Sequence, residues 1–165
     1  YSGNDNAVAI ADHIAGSTEK FAEMMNAEAK KLMATNSHFV NPSGLHDDNH
    51  YTTAYDLYLI FNECIKHDEF VKIINSSSYT AHITGADGTK RDVKWEPTNY
   101  YAKGEATPPD NVTIIGGKTG TTKGAGNCLI LLTKDSSGNP YISIIMGAGS
   151  KPLLYQDMTS MLSKI

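Results

Sequence analysis

Two short runs combine residue types that can do chemistry. Lys118-Thr119-Gly120 sets a cation, a hydroxyl and a residue without a Cβ in succession, directly after the strand-like run Ile114-Ile115-Gly116-Gly117. Such a run can hold an anionic group, because the ammonium and hydroxyl donate and the glycine lets another chain pass close to the backbone. Ser2-Gly3-Asn4 offers a hydroxyl and an amide at the head of the first helical stretch. Each triplet alone is commonplace, so decoys within the chain are instructive. Ser137-Gly138-Asn139 repeats the second triplet between two apolar runs and reads as a hairpin turn without chemistry. Ser17-Thr18-Glu19-Lys20 matches a Ser-x-x-Lys nucleophile motif in letters, but it follows Ser2 and reads as the N-cap of a helix.

Metal chemistry has one candidate, His46-Asp47-Asp48-Asn49-His50, where imidazoles and carboxylates crowd together. The cluster lacks a helical or strand frame and a clear fourth ligand, and it reads as a solvated loop. His13, His38, His67 and His82 are isolated, as ordinary surface or core histidines are. The two cysteines, Cys64 and Cys128, fall in apolar stretches and are expected to be buried packing residues, so no disulfide framework organises the chain. Methionines at helical spacing are expected to fill core.

Positioning elements follow from the apolar period. Ala7, Val8, Ala11, Ile14 and Ala15 form one helical stripe and Phe21, Met24, Met25, Leu32 and Met33 the next, divided by Gly16 with Ser17 as N-cap. Phe39 to Leu45 is turn chemistry, after which Thr53 and Asp56 suggest a capping box ahead of a third helix; a shorter one is expected over Asp68 to Ile74. From Tyr79 the period becomes two, through Ala81 and Ile83, a turn at Asp87-Gly88, and Val93 and Trp95 on the return. Three apolar runs, 112–115, 128–132 and 141–146, predict antiparallel strands, and Leu154, Met158, Met161, Leu162 and Ile165 a covering helix. The expected class is α+β, in one partial domain: 1–77 mainly helical, 78–103 a hairpin region, 111–165 three strands and the C-terminal helix.

Composition narrows the partners. The 165 residues, 40% hydrophobic and 19% charged, suit one globular domain with a core, and no run approaches a membrane span. A net charge of −4 with scattered lysines excludes the basic stripe of a nucleic-acid binder and makes a neutral or cationic small substrate easier to accommodate. The chain shows no charged and apolar leader, so it is expected to begin after any signal peptide.

The triplets in this order, with the runs Ser2 to Asn6, Gly16-Ser17 with Phe21 and Met25-Asn26, Phe39 to Leu45, Thr53 to Leu57 and Lys118 to Cys128, resemble the low-molecular-mass penicillin-binding proteins, the serine-type D-alanyl-D-alanine carboxypeptidases. The resemblance spans most of the chain. It implies a β-lactamase/transpeptidase-like fold, no cofactor and no metal, an acyl-enzyme mechanism, and as partners a peptidoglycan stem peptide ending in D-Ala-D-Ala and β-lactam antibiotics. It also implies an extracytoplasmic, cell-envelope location. By the same resemblance Lys118 and Thr119 hold the substrate carboxylate, Gly120 keeps the strand edge open, and Thr121 offers its backbone N–H to the oxyanion. Ser2 relays a proton, and Asn4 bonds the substrate amide and a catalytic lysine.

One departure matters. The family's Ser-x-x-Lys precedes Ser-x-Asn by tens of residues, and the sequence starts one residue before Ser2. The expectation is a truncated or interrupted piece of a longer protein, inactive alone, with its own N-terminal segment as a partner and an uncovered apolar face and sheet edge. Two other classes stand beside this one: a catalytically inactive module that binds peptidoglycan or β-lactam, and a metal-dependent hydrolase built on His46 to His50.

Overall fold

A computed structural model describes residues 2–165. Four helices come first, α1 (Asn4–Ala15), α2 (Thr18–Lys31), α3 (Ala54–Cys64) and α4 (Asp68–Ile74). A hairpin of β1 (Tyr79–Thr84) and β2 (Lys90–Trp95) and the single turn α5 (Tyr100–Lys103) lead to a sheet of β3 (Val112–Thr122), β4 (Gly126–Asp135) and β5 (Pro140–Ala148), closed by α6 (Lys151–Leu162). The sheet is antiparallel in the order β3-β4-β5, and the hairpin forms its own two-stranded sheet. This is the α+β arrangement read from the sequence.

Local chemistry explains the helix ends. Gly16 closes α1 in the left-handed conformation at φ 80°, which costs glycine nothing. The Ser17 hydroxyl then accepts from the Lys20 N–H at 3.2 Å, so the Ser-x-x-Lys decoy is a helix cap. Thr53 likewise accepts from the Asp56 N–H. The expected capping box is only half made, because the fully buried Asp56 carboxylate instead accepts from the Asn36 N–H and the Ser37 hydroxyl, each at 2.7 Å. That carboxylate ties the loop after α2 to the head of α3.

The core lies between β4 and α6. Leu129 and Leu131 meet Leu154, Tyr155, Met158 and Leu162, with Tyr101 of α5 and Val112 of β3 at the margins. Truncating a fully buried residue such as Met158 costs about 2–5 kcal/mol, the lost transfer energy plus a cavity. The helical half packs differently: α2 buries Ala22 and Ala29, while Met24 and Met33 are 51% and 70% exposed. The expectation that these methionines fill core therefore fails for both. Met33 lies past the end of α2 at φ 64°, closing the turn that buries Ala34. On α1 only Ala11 is buried, and Ile10 and Ile14 are more than half exposed.

One irregularity in β3 decides what the sheet can present. Ile114 pairs with Thr133 and Gly116 with Leu132, so Ile115 is an extra residue in a β-bulge. Before the bulge, even-numbered Val112 and Ile114 face the α6 core. After it, Gly117 and Thr119 pair with Leu131 and Leu129, and the odd-numbered positions share their core-facing side. The slip of one residue moves Lys118 and Gly120 to the opposite face, toward α1.

Candidate active site

Lys118 lies in the interior of β3, which runs on through the triplet to Thr122 instead of ending before it. Its ammonium donates to the Ser2 hydroxyl at 3.2 Å, a contact between residues 116 positions apart, and to the Thr119 carbonyl at 2.6 Å. Ser2 and Asn4 reach this point because α1 begins at Asn4 behind an extended Gly3. A cleft of about 470 Å³ gathers Ser2, Asn4, Lys118, Thr119, Gly120 and Thr121, so the candidates of the two triplets are brought together with Thr121.

The glycines of β3 separate packing from access. A Cβ on Gly116 would overlap the Ile74 carbonyl at the end of α4, and one on Gly117 would overlap the Ile130 carbonyl of β4. Both glycines are required by backbone approach. At Gly120 a Cβ would meet nothing nearer than the Cys128 Cβ at 4.0 Å. Packing does not demand that glycine, and the sheet face above it is open.

Electrostatics favour an anion. Among the described residues lining the cleft, the charged ones are Lys118 and Lys151, both cationic. Lys151 begins α6, behind a Ser150 cap whose hydroxyl accepts from the Leu153 N–H. Loss of hydration inside the cleft holds the Lys118 pKa below the ordinary lysine value, although part of the side chain remains open to solvent. An arriving carboxylate would restore what desolvation takes away.

Sequence reasoning missed several walls of the cleft. Thr98 shares a hydrogen bond with the Thr119 hydroxyl at 2.6 Å, fixing that side chain beside Lys118. Tyr100 and Tyr155 stack at 4.6 Å between ring centroids and 6° between planes, and the Tyr100 N–H donates to the Tyr155 hydroxyl at 2.9 Å. Asn99, almost fully buried, caps α5 and sets Tyr100 in place; an Asn before an aromatic pair was the available signal. The segment Ser43-Gly44-Leu45, read as a turn, lines the cleft because Asn41 folds it: its carbonyl oxygen accepts from the N–H groups of Ser43 and Gly44, and its amide donates to the Leu45 carbonyl. Cys128, expected to be buried, is half-buried and faces the cleft opposite Gly120, and Cys64 is half-buried too.

The second Ser-Gly-Asn triplet lies outside the lining of this cleft, whereas His50 lines an adjoining hollow together with Ser2, Asn4 and Lys118. Asp135 holds the turn at Ser137-Gly138-Asn139, accepting from the N–H groups of Ser137 and Asn139 at 2.9 and 2.8 Å. In the histidine loop, the His50 ring nitrogen accepts from the Val40 N–H and the His38 ring engages the Asn49 carbonyl. Among the described residues no group of three His, Cys, Asp or Glu side chains converges as a metal site would need.

Comparison with known proteins agrees with the geometry. The family model for the S11 peptidases, described as D-alanyl-D-alanine carboxypeptidase, matches residues 1–150. The chain is 31% identical over 166 residues to D-alanyl-D-alanine carboxypeptidase DacF of Bacillus subtilis, covering 98% of this chain and 39% of that protein. It is 34% identical over 151 residues to DacD of Escherichia coli, covering 90% of this chain and 35% of that protein. It therefore spans between a third and two-fifths of these curated relatives. Among solved structures, the Streptomyces K15 DD-transpeptidase superposes with a TM-score of 0.85 at 28% identity, over 96% of this chain and 61% of that one. A matched family model over most of its length, together with the cleft, places this chain in the peptidase S11 family of D-alanyl-D-alanine carboxypeptidases.

Proposed function

We propose that this chain is the substrate-holding part of a serine D-Ala-D-Ala carboxypeptidase, and that it holds peptidoglycan stem peptides for acyl transfer. The observation that carries this reading is the Lys118 to Ser2 contact at 3.2 Å inside a cleft whose charges are cationic. A peptide ending in D-Ala-D-Ala presents a free carboxylate. Lys118 and the Thr119 hydroxyl receive it, as a cation and a neutral donor on a rigid strand. The peptide main chain pairs with β3 at Gly120, where nothing blocks its approach, and the Thr121 N–H donates to the oxyanion of the tetrahedral intermediate.

Proton movement falls to the hydroxyl in the middle. Ser2 stands beside Lys118 and passes a proton toward the departing amine, while Asn4 bonds the substrate amide. The chain spans 39% of the DacF relative it matches, and in this reading the nucleophile and its base come from a part of the same protein outside these residues. β-Lactams acylate the same serine as substrate mimics. The substrate places the protein outside the cytoplasmic membrane, in the cell envelope.

Labelling with a fluorescent penicillin tests the reading. The full-length protein is expected to be labelled covalently. Lys118→Ala should slow labelling and D-Ala release together by about 10- to 150-fold, the worth of a charge-assisted hydrogen bond of about 1.5–3 kcal/mol. Labelling at an unchanged rate would remove Lys118 from the site.

A further inference from the structure

The Thr119 hydroxyl, proposed above to meet the substrate carboxylate, already has a partner. It shares a hydrogen bond with the Thr98 hydroxyl at 2.6 Å, across 21 positions of chain, and among the described residues each of the two hydroxyls bonds only to the other. Thr98 stands in the cleft wall, at the junction between the β1–β2 hairpin and α5. Its place is set from behind: Asn99 is 3% exposed and accepts from the Tyr101 N–H at 3.0 Å, and the Tyr100 N–H donates to the Tyr155 hydroxyl of α6 at 2.9 Å. Both threonines branch at Cβ, which restricts the rotation of each side chain. Thr98 is thus carried by the packing of α5 on α6, and Thr119 by β3.

Two hydroxyls hold two protons, and the bond between them uses one. If Thr119 donates, it is left with lone pairs for the cleft and repels an anion. If Thr98 donates, the Thr119 proton is left for the cleft, and the bond that Thr119 accepts polarises its own O–H toward stronger donation. Only the second arrangement suits an anionic ligand. Lys118 does not compete for the hydroxyl oxygen, because its ammonium donates to the Thr119 carbonyl and to the Ser2 hydroxyl. We infer that Thr98 is a positioning residue: it gives its proton to the Thr119 hydroxyl and thereby makes that hydroxyl a donor to the carboxylate. The inference rests on the proposed function, in which Lys118 and Thr119 receive the carboxylate of the leaving residue. Thr98 itself touches no substrate; it acts through Thr119.

Steady-state kinetics of the full-length protein on a peptide ending in D-Ala-D-Ala, and on the same peptide with its C-terminus amidated, separate the share of the carboxylate from everything else. The wild-type protein is expected to prefer the free acid. Thr98→Val keeps the shape and removes the hydroxyl. It should lower kcat/KM for the acid by about 2- to 12-fold, the worth of one neutral hydrogen bond, and narrow the preference over the amide by the same factor. Thr98→Ala should narrow it alike, and Thr98→Ser should restore most of the loss. Thr119→Val alone and Thr98→Val with Thr119→Val should behave the same, because Thr98 has nothing to act on once the Thr119 hydroxyl is gone. An unchanged preference in Thr98→Val overturns the inference, as does a loss shared equally by acid and amide, or a double variant worse than Thr119→Val by the full factor. A wild-type protein that cleaves neither peptide, or treats acid and amide alike, brings down the proposed function and this inference with it.

Discussion

The chain contains Ser-Gly-Asn twice, and the two copies have opposite fates. Ser2-Gly3-Asn4 opens α1 with its hydroxyl against the Lys118 ammonium, whereas Ser137-Gly138-Asn139 turns β4 into β5 and gives its N–H groups to Asp135. The letters are identical; what differs is the element behind them. A helix start aims a side chain at a strand far away in sequence, while a tight turn uses its polar groups on its own backbone. The proposed chemistry thus resides in a long-range contact.

The sharpest way to break this comparison is to remove each hydroxyl in the full-length protein. Ser2→Ala should slow acylation by penicillin by about 10²–10⁴-fold, the usual range for a general acid–base group. Ser137→Ala should leave it unchanged, and equal effects would end the distinction.

The glycines of β3 offer a second test. Gly117→Ala should lower stability by about 1–3 kcal/mol through overpacking against the Ile130 carbonyl, seen as a reduced midpoint of urea unfolding. Gly120→Ala should unfold at the wild-type midpoint yet acylate more slowly, because it obstructs only an incoming chain. A loss of stability at Gly120 would make it a packing residue like its neighbours.

A subtler effect is the pH profile. Burial lowers the Lys118 pKa, so the cation proposed to hold the carboxylate is lost at a lower pH than for an ordinary lysine near 10.4. The alkaline limb of kcat/KM should therefore fall below that value, and it should vanish in Lys118→Ala. A limb at the ordinary lysine pKa, or one that survives the substitution, would assign it to another group. The smallest effect belongs to Asp135→Ala, which should lower the thermal midpoint slightly by freeing the β4–β5 turn while leaving acylation untouched.

Much of the fold was legible because helical and strand periods are local. The three strands, the hairpin and α6 follow from apolar spacing, and the caps at Ser17 and Thr53 from side chains that reach three residues ahead. What escaped reading is what depends on partners distant in sequence. The Ile115 bulge leaves no mark on the apolar run, yet it decides which face carries Lys118. Asp56 sits where a capping box predicts it and turns instead to Asn36 and Ser37. Cys128 looks like core from its neighbours and faces the cleft, because alternation along β4 sets it opposite Gly120. Of the site, the two triplets were readable as letters, while Thr98, Tyr100, Lys151 and Tyr155 come from elements that meet only in the folded chain.

The most direct test is a crystal structure of the full-length protein acylated by a β-lactam. The account predicts the ligand carboxylate about 2.7–3.2 Å from the Lys118 ammonium or the Thr119 hydroxyl, and the ester carbonyl oxygen on the Thr121 N–H. A ligand whose carboxylate lies away from β3, with Lys118 unengaged, would contradict it.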